Sequence, residues 1–403
     1  MTSTRVLVLT SDTGSGHRSV SRALVAGASG APERGIELIE FDPLVSGDPL
    51  LAQERGTVGV RPALMDRVVG LYGAVIVRAP WAWGLAFHLA ALPGMRSIYH
   101  ALHGRTVTSR IRAAIRATRA QAVVSVHPLV NDAMVAARGS EGRDLPLITV
   151  VTDLVDVHPW WANGAVDRYV VGTGDAASAL IGLGIEPSRI SVTGIPLRPT
   201  FGRVMSSARE MREQLGLDPA HPTVLFMGGG DGAGRLAEVV GACDAVVRSR
   251  GKEVTRFVVI CGRNEPLRAA FAVREWRGPT TILGQVANIH EWMTASDVVV
   301  TKPGSLTVSE SLAIGRPLLL GPPLPGQEEG NIPFVCDNGA GMAYRDATEA
   351  SMLLDGMLAD PASLWEMGQR TFPLRHLKAT ERRSEEHTSE LQSRQYLVCR
   401  LLL

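Results

Sequence analysis

Residues 301–331 read TKPGSLTVSESLAIGRPLLLGPPLPGQEEGN, and this stretch says more about the fold than any other part of the chain. A Pro-Gly turn opens a helix at Ser305, an apolar strand follows at 317–320, and a second Pro-Gly loop carries residues 327–329. Strands that alternate with helices in this way are typical of parallel α/β proteins, in which ligands collect at the carboxyl ends of the strands.

The turn itself predicts a pyrophosphate site. A helix N-terminus leaves several N–H groups unpaired and carries a partial positive charge. Gly304 lets a phosphate approach closely, and Ser305 and Thr307 offer hydroxyl donors. A carboxylate about 20 residues downstream lies where a ribose hydroxyl would lie in a dinucleotide site. The alternative is an ordinary capped helix with a surface loop, but the order and spacing of the parts favour a ligand site.

Composition indicates a globular protein of two domains. The chain has 403 residues, which is long for one core, and 45% of them are hydrophobic. The 41 basic and 40 acidic residues nearly cancel, so we expect no nucleic-acid partner. The four cysteines form no CxxC pair, which argues against a zinc site and a disulfide framework. With no signal-peptide pattern and no apolar run of about 18 residues, the sequence predicts a cytoplasmic protein.

Short apolar runs alternate with helical patterns in two series. The first series is 6–10, 122–126, 147–152 and 169–171, and the second is 223–227, 257–261, 280–283, 298–301 and 317–320. This alternation predicts two parallel sheets with helices on both faces. The sequence GIPLRP at 194–199, followed by a polar helix at 205–215, separates the series. We therefore expect two Rossmann-like domains, residues 1–200 and 201–360, with a cleft between them.

The first strand ends in SDTGSGHRS, residues 11–19. Gly14 and Gly16 allow a sharp turn, and His17 then stands at the start of a helix. A histidine in this position can accept a proton from a substrate hydroxyl near neutral pH. A generic strand-to-helix turn with a capping histidine is the alternative.

Polar residues also follow the strand that ends at Thr152. The sequence VVTDLVDVHPWW, residues 150–161, places Asp153, Asp156 and His158 there. Two carboxylates and one histidine on a loop have no firm metal-ligand geometry, so we expect no metal. The prediction is that this polar cluster positions an acceptor or sugar hydroxyl, and a structural loop is the alternative.

A glycine-rich loop, GGGDGAG at 228–234, follows the first strand of the second series. Five glycines in seven residues are costly in conformational entropy, which suggests that the backbone at Gly229 and Gly230 passes close to a phosphate or sugar. An NAD site would need an acidic residue at the end of the next strand. That strand ends instead in CGRN, residues 261–264, so the dinucleotide interpretation fails.

Two further segments stand apart. Residues 68–95 are apolar with interleaved aromatic residues, and they predict either a surface that meets a bilayer or two buried helices. The sequence RSEEHTSELQS at 383–393 matches the translation of a common sequencing adapter. We therefore expect residues 383–403 to be non-native, and residues 361–382 to be a partial C-terminal helical segment.

Together these motifs resemble the monogalactosyldiacylglycerol synthase and processive diacylglycerol glucosyltransferase family, which are glycosyltransferases of the GT-B fold. The resemblance covers most of residues 5–345. It is strongest at 302–331 and good in GSGHRS, VTDLVDVHPWW, GGGDGAG and CGRN. It implies a C-terminal domain that binds the nucleotide sugar, and an N-terminal domain that holds the acceptor and touches the membrane.

The resemblance also implies roles for single residues. The implied donor-binding residues are Gly229, Gly230, Arg263, Gln285, Val286, Gly304, Ser305, Thr307, Gln327, Glu328 and Glu329. Among them, residues 285 and 286 would read the uracil edge, and residues 304, 305 and 307 would contact the pyrophosphate. Residue 327 would lie near the sugar hydroxyls, and residues 328 and 329 would contact ribose or the donor sugar. The implied catalytic base is His17, and the acceptor-side residues are Gly16, Asp153, His158 and Trp160.

The activity implied is inverting transfer of a hexose from a UDP-sugar to a lipid acceptor such as diacylglycerol, without a metal or a cofactor. The protein would be peripheral at the inner face of the cell membrane, and it could form a homo-oligomer. The sequence does not choose between glucose and galactose. The alternatives are a nucleotide-sugar 2-epimerase of the same fold, which needs no lipid surface, and an inactive homologue that binds nucleotide without turnover.

Overall fold

The computed structural model describes residues 3–11, 15–45, 49–51, 79–141, 145–202, 206–228, 235–249, 251–252 and 254–375. Several predictions fall outside the described residues: the turn at 12–14, the first part of the apolar segment (68–78), the loop glycines 229 and 230, and the tail at 383–403. The chain divides into two compact units. The first holds the described residues of 3–51 and 81–199, and the second holds residues 79–80 and the described residues of 200–375.

The first unit is built on one parallel sheet. Its strands are β1 (Thr4–Leu9), β2 (Ile36–Phe41), β3 (Ala122–Ser125), β4 (Leu147–Val150), β5 (Arg168–Val171) and β6 (Ile190–Val192), in the spatial order β2-β1-β3-β4-β5-β6. Its α-helices are Ser15–Ser29, Pro80–Ala90, Met95–Tyr99, Arg105–Thr118, Asn131–Glu141 and Gly174–Gly182. The apolar residues 6–9 of β1 are buried, as expected for a strand with helices on both faces.

The second unit repeats this plan. Its strands are β7 (Thr223–Met227), β8 (Arg256–Ile260), β9 (Thr280–Leu283), β10 (Val298–Thr301), β11 (Leu318–Leu320) and β12 (Gly341–Ala343), in the order β12-β11-β10-β7-β8-β9. Its α-helices are Ala208–Gln214, Leu236–Ser249, Glu265–Ala272, Ile289–Ala295, Ser305–Ile314, Asn331–Cys336, Ala347–Ala359 and Pro361–Gln369. Each neighbouring pair of strands in both sheets is parallel.

The prediction of two parallel α/β sheets is confirmed. All nine predicted strands are present with ends within two residues of those expected, and the helix expected at Ser305 begins there. The polar helix expected at 205–215 covers Ala208–Gln214, where Ser207 and Glu210 form a reciprocal capping box. The sequence analysis missed β2, β6 and β12, which are all edge strands. Edge strands are short or partly exposed, so their apolar signal is weak.

The strand order places a topological switch point in each sheet. From β1 the chain moves to β2 on one side, whereas β3 lies on the other side of β1. In the second unit β8 and β10 flank β7 in the same way. Ligands in open parallel sheets bind outside the carboxyl ends of the strands at such points. We therefore expect ligand-binding sites at the loops after β1 and β3 and at those after β7 and β10.

Candidate functional site

His17 lies at the switch point of the first unit, in the first turn of the helix that follows β1. Its Nδ1 is 2.8 Å from the carbonyl oxygen of Val126 and 3.0 Å from Oγ1 of Thr152. A carbonyl oxygen can only accept, so Nδ1 carries the proton and donates it. The Nε2 atom of His17 is then the nitrogen with a lone pair, as a general base requires.

A second histidine, which the sequence analysis missed, lies beside His17. The rings of His17 and His127 are 4.4 Å apart between centroids, and Nδ1 of His127 accepts a bond from the N–H of Leu129 at 3.2 Å. Burial lowers the pKa of His17 to about 4, although the bond to Val126 opposes this shift. Burial and the nearby His17 hold the pKa of His127 well below its usual value. Both rings are therefore neutral at neutral pH.

Asp153 is linked to the surroundings of His17 through the side chain of Trp161. The indole Nε1 of Trp161 donates to Oδ2 of Asp153 at 2.7 Å, and the N–H of His158 donates to the same oxygen at 3.3 Å. The Trp161 ring also lies 6.1 Å from that of His17. Burial raises the pKa of Asp153 to about 6 against the effect of these two hydrogen bonds, and Asp156 adds to the rise. Asp153 is thus a buried carboxyl close to half protonation near pH 6.

The polar atoms of His158 and Trp160 hold the loop against a helix. His158 accepts from the N–H of Trp160 at 3.2 Å, and its Nε2 lies 3.4 Å from the carbonyl oxygen of Phe87. The indole of Trp160 donates to the carbonyl of Ala90 at 2.9 Å. These bonds tie the short 3₁₀ turn Pro159–Trp161 to the helix Pro80–Ala90. His158 and Trp160 therefore both have a structural role. Their role in binding the acceptor stays a prediction, and so does that of Gly16, which precedes His17 in the same helical turn.

The helix Pro80–Ala90 and the segment after it expose large apolar side chains. We call this the apolar helical surface, and its members are Trp81, Leu85, Leu89, Leu92, Met95, Ile98 and Leu102. Trp81 and Leu102 are each 71% exposed. Within the described part of segment 68–95, an exposed surface therefore fits better than two buried helices. In the described residues, no helix has both the length and the apolar character needed to cross a bilayer.

The phosphate turn of the second unit follows β10 at its switch point. Gly304 precedes the helix Ser305–Ile314, and no side chain among the described residues caps this N-terminus. The partly positive end of the helix is thus open to an anion. A Cβ atom added at Gly304 would lie 3.0 Å from Nζ of Lys302 and 3.4 Å from Oε1 of Glu328. A side chain at this position would have to displace the ends of Lys302 and Glu328 slightly, and Thr307 is half-buried in the first helical turn.

The predicted sugar-binding loop is bonded to this turn. Lys302 forms an ion pair with Oε1 of Glu328, and the N–H of Leu324 donates to Oε2 at 3.0 Å. Glu328 is buried, and its neighbour Glu329 is exposed. Gln327 has a buried Oε1 without a hydrogen-bond partner among the described residues. The sequence motifs predicted no role for Lys302, although its position between β10 and the phosphate turn could have indicated one.

The remaining donor residues lie at the same edge of the second sheet. Arg263 is exposed just after β8, and Gln285 and Val286 lie in the loop after β9. Gly229 and Gly230 belong to the loop after β7 and lie outside the described residues. Because β8, β9 and β10 are parallel, the described loops that follow them lie at one edge of the sheet. Among the described residues, no group of three or more His, Cys, Asp or Glu side chains is arranged to hold a metal ion.

Comparison with protein families gives two adjacent matches. The profile of monogalactosyldiacylglycerol (MGDG) synthase matches residues 57–197, and that of the glycosyltransferase family 28 C-terminal domain matches residues 223–364. A rice protein named as a probable monogalactosyldiacylglycerol synthase 2 is 35% identical over 356 residues, which span 86% of this chain and 72% of the relative. Monogalactosyldiacylglycerol synthase 3 of Arabidopsis thaliana is 31% identical, over 92% of this chain and 77% of the relative.

Solved structures agree on the fold. The calicheamicin glycosyltransferase CalG4 aligns with a TM-score of 0.59 at 14% identity, covering 94% of this chain and 97% of that one. MurG of Acinetobacter baumannii gives 0.54 at 15%, covering 91% and 94%. A candidate UDP-N-acetylglucosamine 2-epimerase of Listeria monocytogenes gives 0.56 at 17%, covering 92% and 91%. At these identities the likeness establishes the GT-B fold and does not separate transferase from epimerase.

Proposed function

The chain belongs to the monogalactosyldiacylglycerol synthase family, and we propose that it transfers galactose from UDP-galactose to diacylglycerol with inversion at the anomeric carbon. The family resemblance drawn from the sequence motifs is thereby confirmed, as is the assignment to UDP-sugar-dependent glycosyltransferases. The names of the relatives support galactose over glucose. They also favour the transferase over the 2-epimerase, because the sequence relatives are named as synthases.

The observation that carries the proposed mechanism is the hydrogen bond between Nδ1 of His17 and the carbonyl oxygen of Val126. The Nδ1 proton is held by this carbonyl, which leaves the lone pair on Nε2. As the acceptor hydroxyl oxygen bonds to the anomeric carbon, its proton moves to Nε2. The bond from the anomeric carbon to the diphosphate breaks on the opposite face, and its electron pair leaves with UDP. The low pKa of His17 keeps the base unprotonated at neutral pH.

The second unit would stabilise the charge that forms on the leaving group. The uncapped helix N-terminus at Ser305 directs backbone N–H groups and a partial positive charge at the diphosphate. Lys302 adds a cation beside the same turn. One preorganised donor of this kind contributes roughly 2.7–4 kcal/mol to stabilisation of a transition state. We propose that this arrangement stabilises the leaving group without a bound metal.

The lipid acceptor suggests contact with a bilayer through the apolar helical surface. Large apolar side chains exposed along one segment of the chain favour an interaction site there. The sequence between residues 67 and 131 contains eight arginines and no Asp or Glu. Such a composition suits the interface of a membrane with a negative surface potential. We therefore propose that the protein acts at a membrane surface as a peripheral enzyme.

A direct assay tests the proposed activity. The chain is incubated with UDP-galactose or UDP-glucose and with phosphatidylcholine vesicles that contain diacylglycerol, and both the glycolipid and UDP are measured. We expect a β-linked galactolipid, since UDP-galactose carries an α-linked sugar. Conversion of UDP-N-acetylglucosamine to its 2-epimer without lipid would favour the epimerase. UDP binding without turnover of any donor would indicate an inactive homologue.

A further inference from the structure

Asn331 joins the two parts of the candidate donor site in the second unit. It begins the helix Asn331–Cys336 and is 1% exposed. Its amide Nδ2 lies 2.8 Å from the carbonyl oxygen of Pro303 and 3.3 Å from Oγ of Ser305. One buried side chain at the end of the second Pro-Gly loop thus bonds to Pro303 and Ser305, the two residues that flank Gly304.

The surroundings fix which way this amide points. The carbonyl of Pro303 can only accept, so the nitrogen of Asn331 must face it, and the opposite orientation would place two acceptors in contact. The second N–H of the amide is then directed at Oγ of Ser305. A hydroxyl oxygen that already accepts a bond keeps its own hydrogen for another acceptor. At an uncapped helix N-terminus, an anion is the acceptor that both the geometry and the charge favour.

We propose that Asn331 is a positioning residue that turns the hydroxyl of Ser305 into a donor to the diphosphate of the nucleotide. This inference rests on the proposed function, because it takes the turn at Ser305 to be the diphosphate site. Asn331 acts through Ser305 and Pro303 and needs no contact with the ligand. The turn itself is closed by the N–H of Gly304, which donates to the carbonyl of Lys302 at 2.8 Å. Asn331 therefore sets the direction of one donor within a turn that is already formed.

A double-mutant cycle on the full chain tests this role, with UDP affinity measured by titration calorimetry. The variants are Ser305→Ala, Asn331→Ala and the pair together. We expect each single change to weaken UDP binding about tenfold, which is typical for loss of one hydrogen bond to a charged group. The UDP affinity of the double variant should be at most about twofold below that of the single variant that binds UDP more weakly, because both changes remove the same bond. Uridine, which has no phosphate, should bind all variants equally.

Asn338→Ala is the matched control. The amide of Asn338 also donates to a backbone carbonyl, that of Phe334 at 2.8 Å, and Asn338→Ala should leave UDP affinity unchanged. Asn331→Ser serves in place of Asn331→Ala if the latter does not fold, as judged by its melting curve. Additive losses of binding free energy in the cycle, or equal losses of affinity for uridine and UDP, would overturn the role of Asn331 and leave the proposed function standing. Failure of the unmodified chain to bind UDP would overturn the proposed function instead.

Discussion

Both units are built on a six-stranded parallel sheet, although their strand orders differ, and they prepare their strand ends for opposite electrostatic tasks. At the switch point of the first unit, two buried histidines are held neutral, and one of them keeps a lone pair on Nε2. At the switch point of the second unit, a helix N-terminus without a side-chain cap among the described residues lies beside a lysine and a buried glutamate. A histidine must be neutral to accept a proton, whereas a departing diphosphate is stabilised by positive charge. The same strand-to-helix turn therefore serves different chemistry through the residues that burial places around it.

Replacing His17 tests the first half of this comparison and should have the largest effect. We expect His17→Ala to lower kcat by about 10²–10⁴-fold, the usual contribution of a general base. UDP affinity should stay unchanged, because the diphosphate contacts belong to the second unit. Steady-state kinetics with UDP-galactose and diacylglycerol vesicles, combined with UDP titration, measure both quantities. His221→Ala, which changes a partly exposed histidine of the second unit, is the control. Equal turnover in His17→Ala and the unmodified chain would refute the assignment of the base.

Replacing Glu328 tests the second half. Glu328→Ala removes the partner of Lys302 and an acceptor of the Leu324 N–H, so we expect sugar transfer to fall by about a hundredfold, in line with about 3 kcal/mol for one preorganised contact. UDP affinity should fall much less, since Lys302 becomes free to meet the diphosphate. Glu329→Ala, on the exposed neighbour, should have the smaller effect on transfer. A larger loss for Glu329→Ala, by the same kinetics, would reverse the order of the two glutamates.

The apolar helical surface belongs to the first unit, and no comparable role is assigned to the second. We expect the double change Trp81→Ser and Leu102→Ser to weaken vesicle binding about thirtyfold, because each side chain would lose roughly 1–2 kcal/mol of apolar burial. Sedimentation with phosphatidylglycerol-containing vesicles measures the partition. Val273 and Trp365, which are exposed in the second unit, provide the matched control pair for serine substitution. Equal losses for both pairs would show that the attachment is non-specific.

The sequence predicted the fold better than the site. Apolar runs and the Pro-Gly turn located nine strands and the helix at Ser305, because burial on both faces of a parallel sheet leaves a clear pattern. The sequence also placed His17 beside a strand end. It could not show that His127 lies against His17, because the two are 110 positions apart and meet only through the β1–β3 pairing. Lys302 and Asn331 lay within the quoted stretch, yet their bonds to Glu328 and Ser305 depend on how the loop folds back.

The smallest expected effect concerns stability against pH within the first unit. The pKa of His17 is lowered from 6.5 to about 4, so the folded chain binds fewer protons at this residue than the unfolded chain between those values. Stability from His17 is therefore lost as the pH falls from 6.5 toward 4. The pKa of Asp153 is raised from 3.8 to about 6, so its contribution to stability changes with pH in the opposite direction. Its contribution is present at low pH and is lost as the pH rises through that window.

Asp153→Asn should separate these two opposing contributions. The asparagine carbonyl can still accept from Trp161 and His158, while the cost of a buried charge disappears. We expect the variant to match the unmodified chain near pH 3 and to be more stable by about 3 kcal/mol at pH 8, since a shift of about two pKa units corresponds to about 1.4 kcal/mol per unit. Hydrogen exchange of amides in β1 and β3 measures the unfolding free energy of this unit. Equal stability at pH 8 would mean that burial does not penalise the Asp153 charge. The electrostatic contrast between the two units would then rest on the histidines alone.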